Sequence, residues 1–145
     1  MDKRELVIFL PMLPDRRLGP NRSKYQHWGL ETAVKNQAKS MALIAFRSAR
    51  NLWERQNKTK WVPLVQAELD VRIYVKDGRK VMDDDNTRLC IKCIRDMLQE
   101  KIKVTNAISA SGAGIITNDK RLNPSVNWVV SKDIREGMWW NIKEV

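Results

Sequence analysis

Asp83-Asp84-Asp85-Asn86 sets three carboxylates side by side in a chain that carries 27 Lys and Arg against 17 Asp and Glu, a formal net charge of +10. Like charges packed this closely repel, and they oppose the approach of any polyanion. A divalent cation would reverse both effects, and a hard ion such as Mg²⁺ takes carboxylate oxygens while keeping several waters. In an extended segment, residues two apart face the same side at about 7 Å. Asp83 and Asp85 are therefore expected to converge while Asp84 points away. The same string also reads as an acidic turn with a helix N-cap, and spacing alone leaves both readings open. An EF-hand calcium loop is excluded, because Arg88 stands where its glycine is needed and Ile94 where its closing glutamate is needed.

Cations surround the acids. Arg88, Lys92 and Arg95 recur at i, i+4 and i+7, a basic stripe along one side of a helix, and Asn86, Arg88 and Arg95 are expected to contact a nucleic-acid backbone. Acids that hold a metal, with a lysine one to two turns away, are what phosphodiester chemistry needs: the ion polarises the phosphate or activates water, and the lysine stabilises charge developing on phosphate oxygens. A surface ion pair between Lys92 and Asp96 is the competing reading. Upstream, Arg16, Arg17, Arg22 and Lys24, with Tyr25 and Trp28, are suited to grip phosphates and stack on unpaired bases. A Trp28 that plugs the core is the equal alternative. Lys76, Arg79 and Lys80, just before the tetrad, are placed to hold a nucleic-acid backbone beside it. Cys90 and Cys93 have C-x-x-C spacing, but there is no second pair and His27 is the only histidine. They read as buried thiols and not as a zinc site.

The elements that must position these residues follow from periodicity. Glu5 to Met12 reads as a strand. A loop over 13–28, expected to be mobile, leads to a long helix marked by Leu30, Val34, Ala38, Met41, Ala45, Ala49 and Leu52, with Lys35, Lys39, Arg47, Arg50 and Arg55 on its outer side. Ala67 to Val75 alternates as a half-buried strand. Leu89, Cys90, Cys93, Ile94, Met97 and Leu98 mark a second helix, with Asp85 or Asn86 placed to cap it. The glycine-rich stretch 104–118 reads as another mobile loop. Val126–Val130 and Gly137–Ile142 read as closing strands that could form a hairpin. Of Trp139 and Trp140, one is expected in the core and the other against a partner subunit, and Trp53 and Trp61 as packing. The fold class expected is α+β, a two-layer sandwich of two main helices on one face of a small mixed or antiparallel sheet, in one domain spanning 1–145.

A pI near 9.9 points to an anionic partner, nucleic acid before membrane. No apolar run approaches the roughly 20 residues of a membrane span. A cytoplasmic address is expected by default.

The pattern Asp83-x-Asp85-Asn86, five residues, Lys92, three residues, Asp96, then a glycine-containing loop and Asp119, resembles the RusA family of Holliday junction resolvases. Pro20-Asn21 running to Trp28 and a basic helix is similar to that family's amino-terminal entry, so the likeness extends from about Leu10 to Lys120. The resemblance implies a RusA-like fold and a homodimer cutting branched DNA at four-way junctions in recombination and repair. It also implies that Asp83, Asp85 and Asp119 bind Mg²⁺, or Mn²⁺ in its place, that Lys92 is the catalytic cation, and that Asn86 holds the turn or orients Asp85. Two other readings stay open: a basic DNA-binding protein that does not cleave, and a Mg²⁺ enzyme acting on nucleotides.

Overall fold

Alternation of apolar and polar side chains from Ala67 onward produces β2 (Ala67–Val75), with Leu69, Val71, Ile73 and Val75 buried on one face. The structure is a computed structural model that describes residues 3–19, 28–103, 109–118, 120 and 122–145. The remaining elements are β1 (Glu5–Leu10), α1 (Trp28–Asn57), α2 (Asp84–Asp96), β3 (Lys101–Lys103), β4 (Ser109–Ser111), β5 (Ser125–Val130) and β6 (Gly137–Glu144). The sheet order is β1-β6-β2-β5, with β6 antiparallel to both neighbours and β5 parallel to β2. The molecule is α+β, a four-stranded mixed sheet with two helices.

Every inward position of the central strands is apolar, and that fixes the register, because a one-residue slip would turn the whole set outward. Leu6, Ile8 and Leu10 of β1, and Met138, Trp140 and Ile142 of β6, complete the buried face. Phe46 of α1 lies on it, its ring 5.7 Å from Trp140, and both are fully buried. Each such side chain contributes about 1.5–3 kcal/mol on leaving water. Trp139, pointing the other way, is 41% exposed and packs at 5.0 Å against Phe9. Trp61 is buried edge-on to Trp53, and its indole N–H donates to the Ile115 carbonyl.

Three expectations require correction. The closing strands are not a hairpin: β6 enters between β1 and β2, while β5 takes the edge beside β2. A stretch of short apolar strand cannot name its partner, and here burial of Trp140 against α1 assigns β6 the centre. The described part of 104–118 is not a loose loop either. Ser109–Ser111 pairs with Lys101–Lys103, and Ala113, Ile115 and Ile116 are buried. Gly112 is there for close approach, since a Cβ would sit 2.0 Å from the Gln99 carbonyl oxygen. Lastly, Arg47 and Arg50 do not line a free outer side of α1. They donate to the Ser111 and Ala113 carbonyls and tie the helix to that segment. Within 13–28, Arg16–Leu18 forms a short 3₁₀ turn with Leu18 buried; residues 20–27, including Arg22, Lys24, Tyr25 and His27, lie outside the described residues, as does the side chain of Trp28.

β1 and β2 each run antiparallel to β6, so they point the same way, and β5 is parallel to β2. The carboxyl ends of β1, β2 and β5 therefore share one edge of the sheet. The segments leaving that edge carry Arg16 and Arg17, then Lys76, Arg79, Lys80 and Asp83, then Lys132 and Arg135.

Candidate metal centre and nucleic-acid interface

The acidic tetrad is a helix start. Asp83, with extended backbone, is the N-cap of α2: its Oδ1 accepts from the Asn86 backbone N–H and its Oδ2 from the Asn86 side-chain amide, both at 2.8 Å. Asn86 thus holds the turn by engaging Asp83. The cap is Asp83 and not Asp85 or Asn86, and the two-residue alternation does not apply because helical backbone begins at Asp84. Asp84 and Asp85 occupy the first turn, where the partial positive charge of the helix end offsets their repulsion. Asp84 is bound by Arg88 Nε at 2.7 Å. Asp85 is exposed and makes no hydrogen bond or ion pair among the described residues.

Beneath the cap lies Thr87, the one fully buried polar side chain among the described residues. Its hydroxyl donates to the Asp83 carbonyl at 2.7 Å and accepts from the Trp128 indole N–H at 3.1 Å. Trp128 belongs to β5, so the turn is anchored to the sheet edge through one hydroxyl. Nothing in the sequence singles out this threonine.

Asp83 and Asn86 line a depression of about 320 Å³ together with Arg16, Gly19, Val81, Met82 and Cys90. Arg16 is fixed there by donating to the Arg79 carbonyl at 3.1 Å. Three other cations of the edge are already paired. Arg17 meets Asp15 at 2.7 Å, Arg79 meets Asp77 at 3.0 Å, and Lys80 meets Glu136 at 3.0 Å. The Arg17 side chain holds the Asp15 carboxyl below the usual carboxylate range, and Arg79 does the same for Asp77. Glu136 is lowered first by the Lys76 backbone N–H and then by the Lys80 ammonium. These basic side chains stand beside local acids, which compete with a phosphate for their donors. Lys76, Lys132 and Arg135 are exposed at the same edge, and Arg135 lies 4.9 Å over the Phe9 ring.

The basic stripe on α2 divides. Arg88 turns to Asp84 and to Asn123, and Arg95 is half-buried with a partner of its own. Lys92 opens into a different crevice, between α1 and α2, and makes no ion pair with Asp96. Cys90 and Cys93 are free and buried, and burial pushes the Cys90 thiol up to about 11. Asp119 lies outside the described residues; its neighbour Asn118 accepts from the Lys120 N–H. Among the described residues no three His, Cys, Asp or Glu side chains gather as a cation site. No described helix is long and apolar enough to cross a membrane.

Comparison with protein-family models and with curated proteins finds no match to this chain.

Proposed function

We propose that this chain is a divalent-metal-dependent, structure-selective endodeoxyribonuclease that cleaves phosphodiester bonds at four-way DNA junctions, acting as a homodimer of the RusA type. The observation that carries the reading is the convergence at one sheet edge: the acidic start of α2 shares a depression with Arg16, and the other cationic segments leave the same edge. Asp83, Asp85 and Asp119 would hold Mg²⁺ or Mn²⁺. The donors suit such an ion, being hard carboxylate oxygens on an exposed surface, with Asp85 uncommitted to other partners. Held by these carboxylates, such an ion would supply polarisation of a phosphate oxygen and a lowered pKa of bound water.

The chain's own residues supply the rest. Thr87 and Asn86 fix the Asp83 turn and so hold that carboxylate in place. Arg16, immobilised on the Arg79 carbonyl, presents its guanidinium to a phosphate beside Asp83. Lys92 stands two helical turns from Asp85 and supplies positive charge along the strand. In a two-fold dimer, two such sites cut opposed strands.

A second reading has its own support. Asp83 caps α2 and Asp84 pairs with Arg88, so two of the three acids have structural roles in a basic DNA-binding protein that does not cleave. Four-way junction, linear duplex and nucleotide substrates incubated with Mg²⁺, Mn²⁺ or EDTA separate these readings. Junction cutting that requires the metal and disappears in Asp85→Asn, with junction binding retained, is the expected result. Binding without cutting in either metal establishes the second reading, and equal cutting by wild type and Asp85→Asn sinks the first.

A further inference from the structure

The crevice that receives Lys92 has a volume of about 280 Å³ and gathers three lysines from two helices: Lys35 and Lys39 of α1 and Lys92 of α2. Buried Leu18 and Cys93 line it with apolar surface, and Leu89, Glu31 and Asp96 complete the wall. Lys35 reaches Glu31 only at 3.9 Å, while Lys39 and Lys92 have no ion pair among the described residues. Three ammonium groups against two carboxylates leave the crevice positive, and like charges gathered at one opening repel. An anion relieves that repulsion. The crevice is also separate from the acidic depression: the two share no lining residue, and adjacent Leu18 and Gly19 line one each.

We propose that Lys35, Lys39 and Lys92 form a phosphate-binding subsite. Anion binding here stands on the crevice alone; its place on DNA rests on the nuclease reading above. Asp85 and Lys92 are seven residues apart on α2, about 10 Å along the axis at 1.5 Å per residue. A DNA strand offers one phosphate per 3.4 Å of helix axis. The subsite therefore holds a backbone phosphate about three nucleotides from the bond at the acidic turn. It sets where the strand enters, and the sequence hides it because Lys35 and Lys39 read as a solvated outer face.

The test compares wild type with Lys39→Gln, Lys35→Gln/Lys39→Gln and, as a control for net charge, Lys60→Gln beyond the far end of α1. Fluorescence anisotropy of a labelled junction in EDTA over a NaCl series gives the slope of log affinity against log salt. The slope should fall by about 0.9 per lysine removed from the crevice, with Lys60→Gln leaving it unchanged. Equal slopes in all four proteins, or an equal loss in Lys60→Gln, overturn the subsite on DNA. Calorimetric titration with inorganic pyrophosphate decides the anion site independently. Binding by wild type that is lost in the double variant supports it even where no DNA binds and the nuclease reading fails. No pyrophosphate binding together with unchanged slopes removes it. Thermal melts of each variant show that the fold is retained.

Discussion

Arg88 joins Asn123 to the acidic turn: its guanidinium donates to Asn123 Oδ1 at 3.2 Å while its Nε holds Asp84 Oδ2 at 2.7 Å, across 35 residues of sequence. Sequence reading counts Arg88 as a phosphate grip, yet both its bonds are internal. Asn123→Ala should therefore disturb alignment more than stability. The expected loss is under about 1 kcal/mol in urea unfolding, as for an exposed polar contact, against roughly tenfold in junction cleavage, since small misplacements near a reacting centre are costly. Cleavage that falls only in proportion to stability would show that the tether has no positional role.

Asp83 and Asp85 should separate in stability while agreeing in activity. Asp83→Ala removes the cap and should cost about 1 kcal/mol, within the 0.5–2 range of N-cap losses. Asp85→Asn, which breaks no bond among the described residues, should leave the unfolding midpoint close to wild type. Both should abolish metal-dependent cutting. Denaturant curves paired with junction assays check this, and a stable, fully active Asp83→Ala would contradict the metal role of that residue.

Thr87→Val keeps the shape but takes the acceptor from the half-buried Trp128 indole N–H and a donor from the Asp83 carbonyl. The expected cost is about 1–3 kcal/mol. Trp128 emission should change as its hydrogen bond is lost. Thr87→Ser, which restores the hydroxyl, should recover most of the loss; failure to do so would point to methyl packing in place of the hydrogen bond.

Cys90 gives a pH prediction. Its thiol is raised from the ordinary value by burial first and by Asp15 second. Below pH 9 it is protonated in folded and unfolded chains alike, and stability is fully present. As pH rises towards about 11, the unfolded chain ionises first, and that stability is lost through the window. Urea midpoints between pH 8 and 11 should fall more steeply for wild type than for Cys90→Ala. At neutral pH neither thiol should react with iodoacetamide unless the protein is unfolded. Rapid labelling of native protein would refute the burial of both.

Leu30, Met41 and Leu52 of α1 and Leu89 of α2 are exposed while Phe46 and Ile91 are buried, so the apolar helix faces were only partly legible in the sequence. The α+β class, the bounds of β2 and the buried cysteines were legible there. Each depends on local periodicity, which burial on one face imposes on adjacent residues. The partners of β5 and β6 were not legible. Two apolar strands carry no mark of which neighbour they pair with, and the choice follows from packing Trp140 under α1. The Gly112–Ile116 segment misled for a similar reason, because glycine signals a turn and a close backbone approach alike.

The sequence by itself determined the chemistry available: acids at the start of a helix, cations around them, and thiols out of reach. Only the tertiary structure decided how those groups are used. It brought Lys80 to Glu136 and Arg88 to Asn123, and it set Lys92 in one crevice with Lys35 and Lys39. The physical reason is that a charge's partner is set by distance through space, and those distances exist only once the sheet edge and the two helices have been packed together.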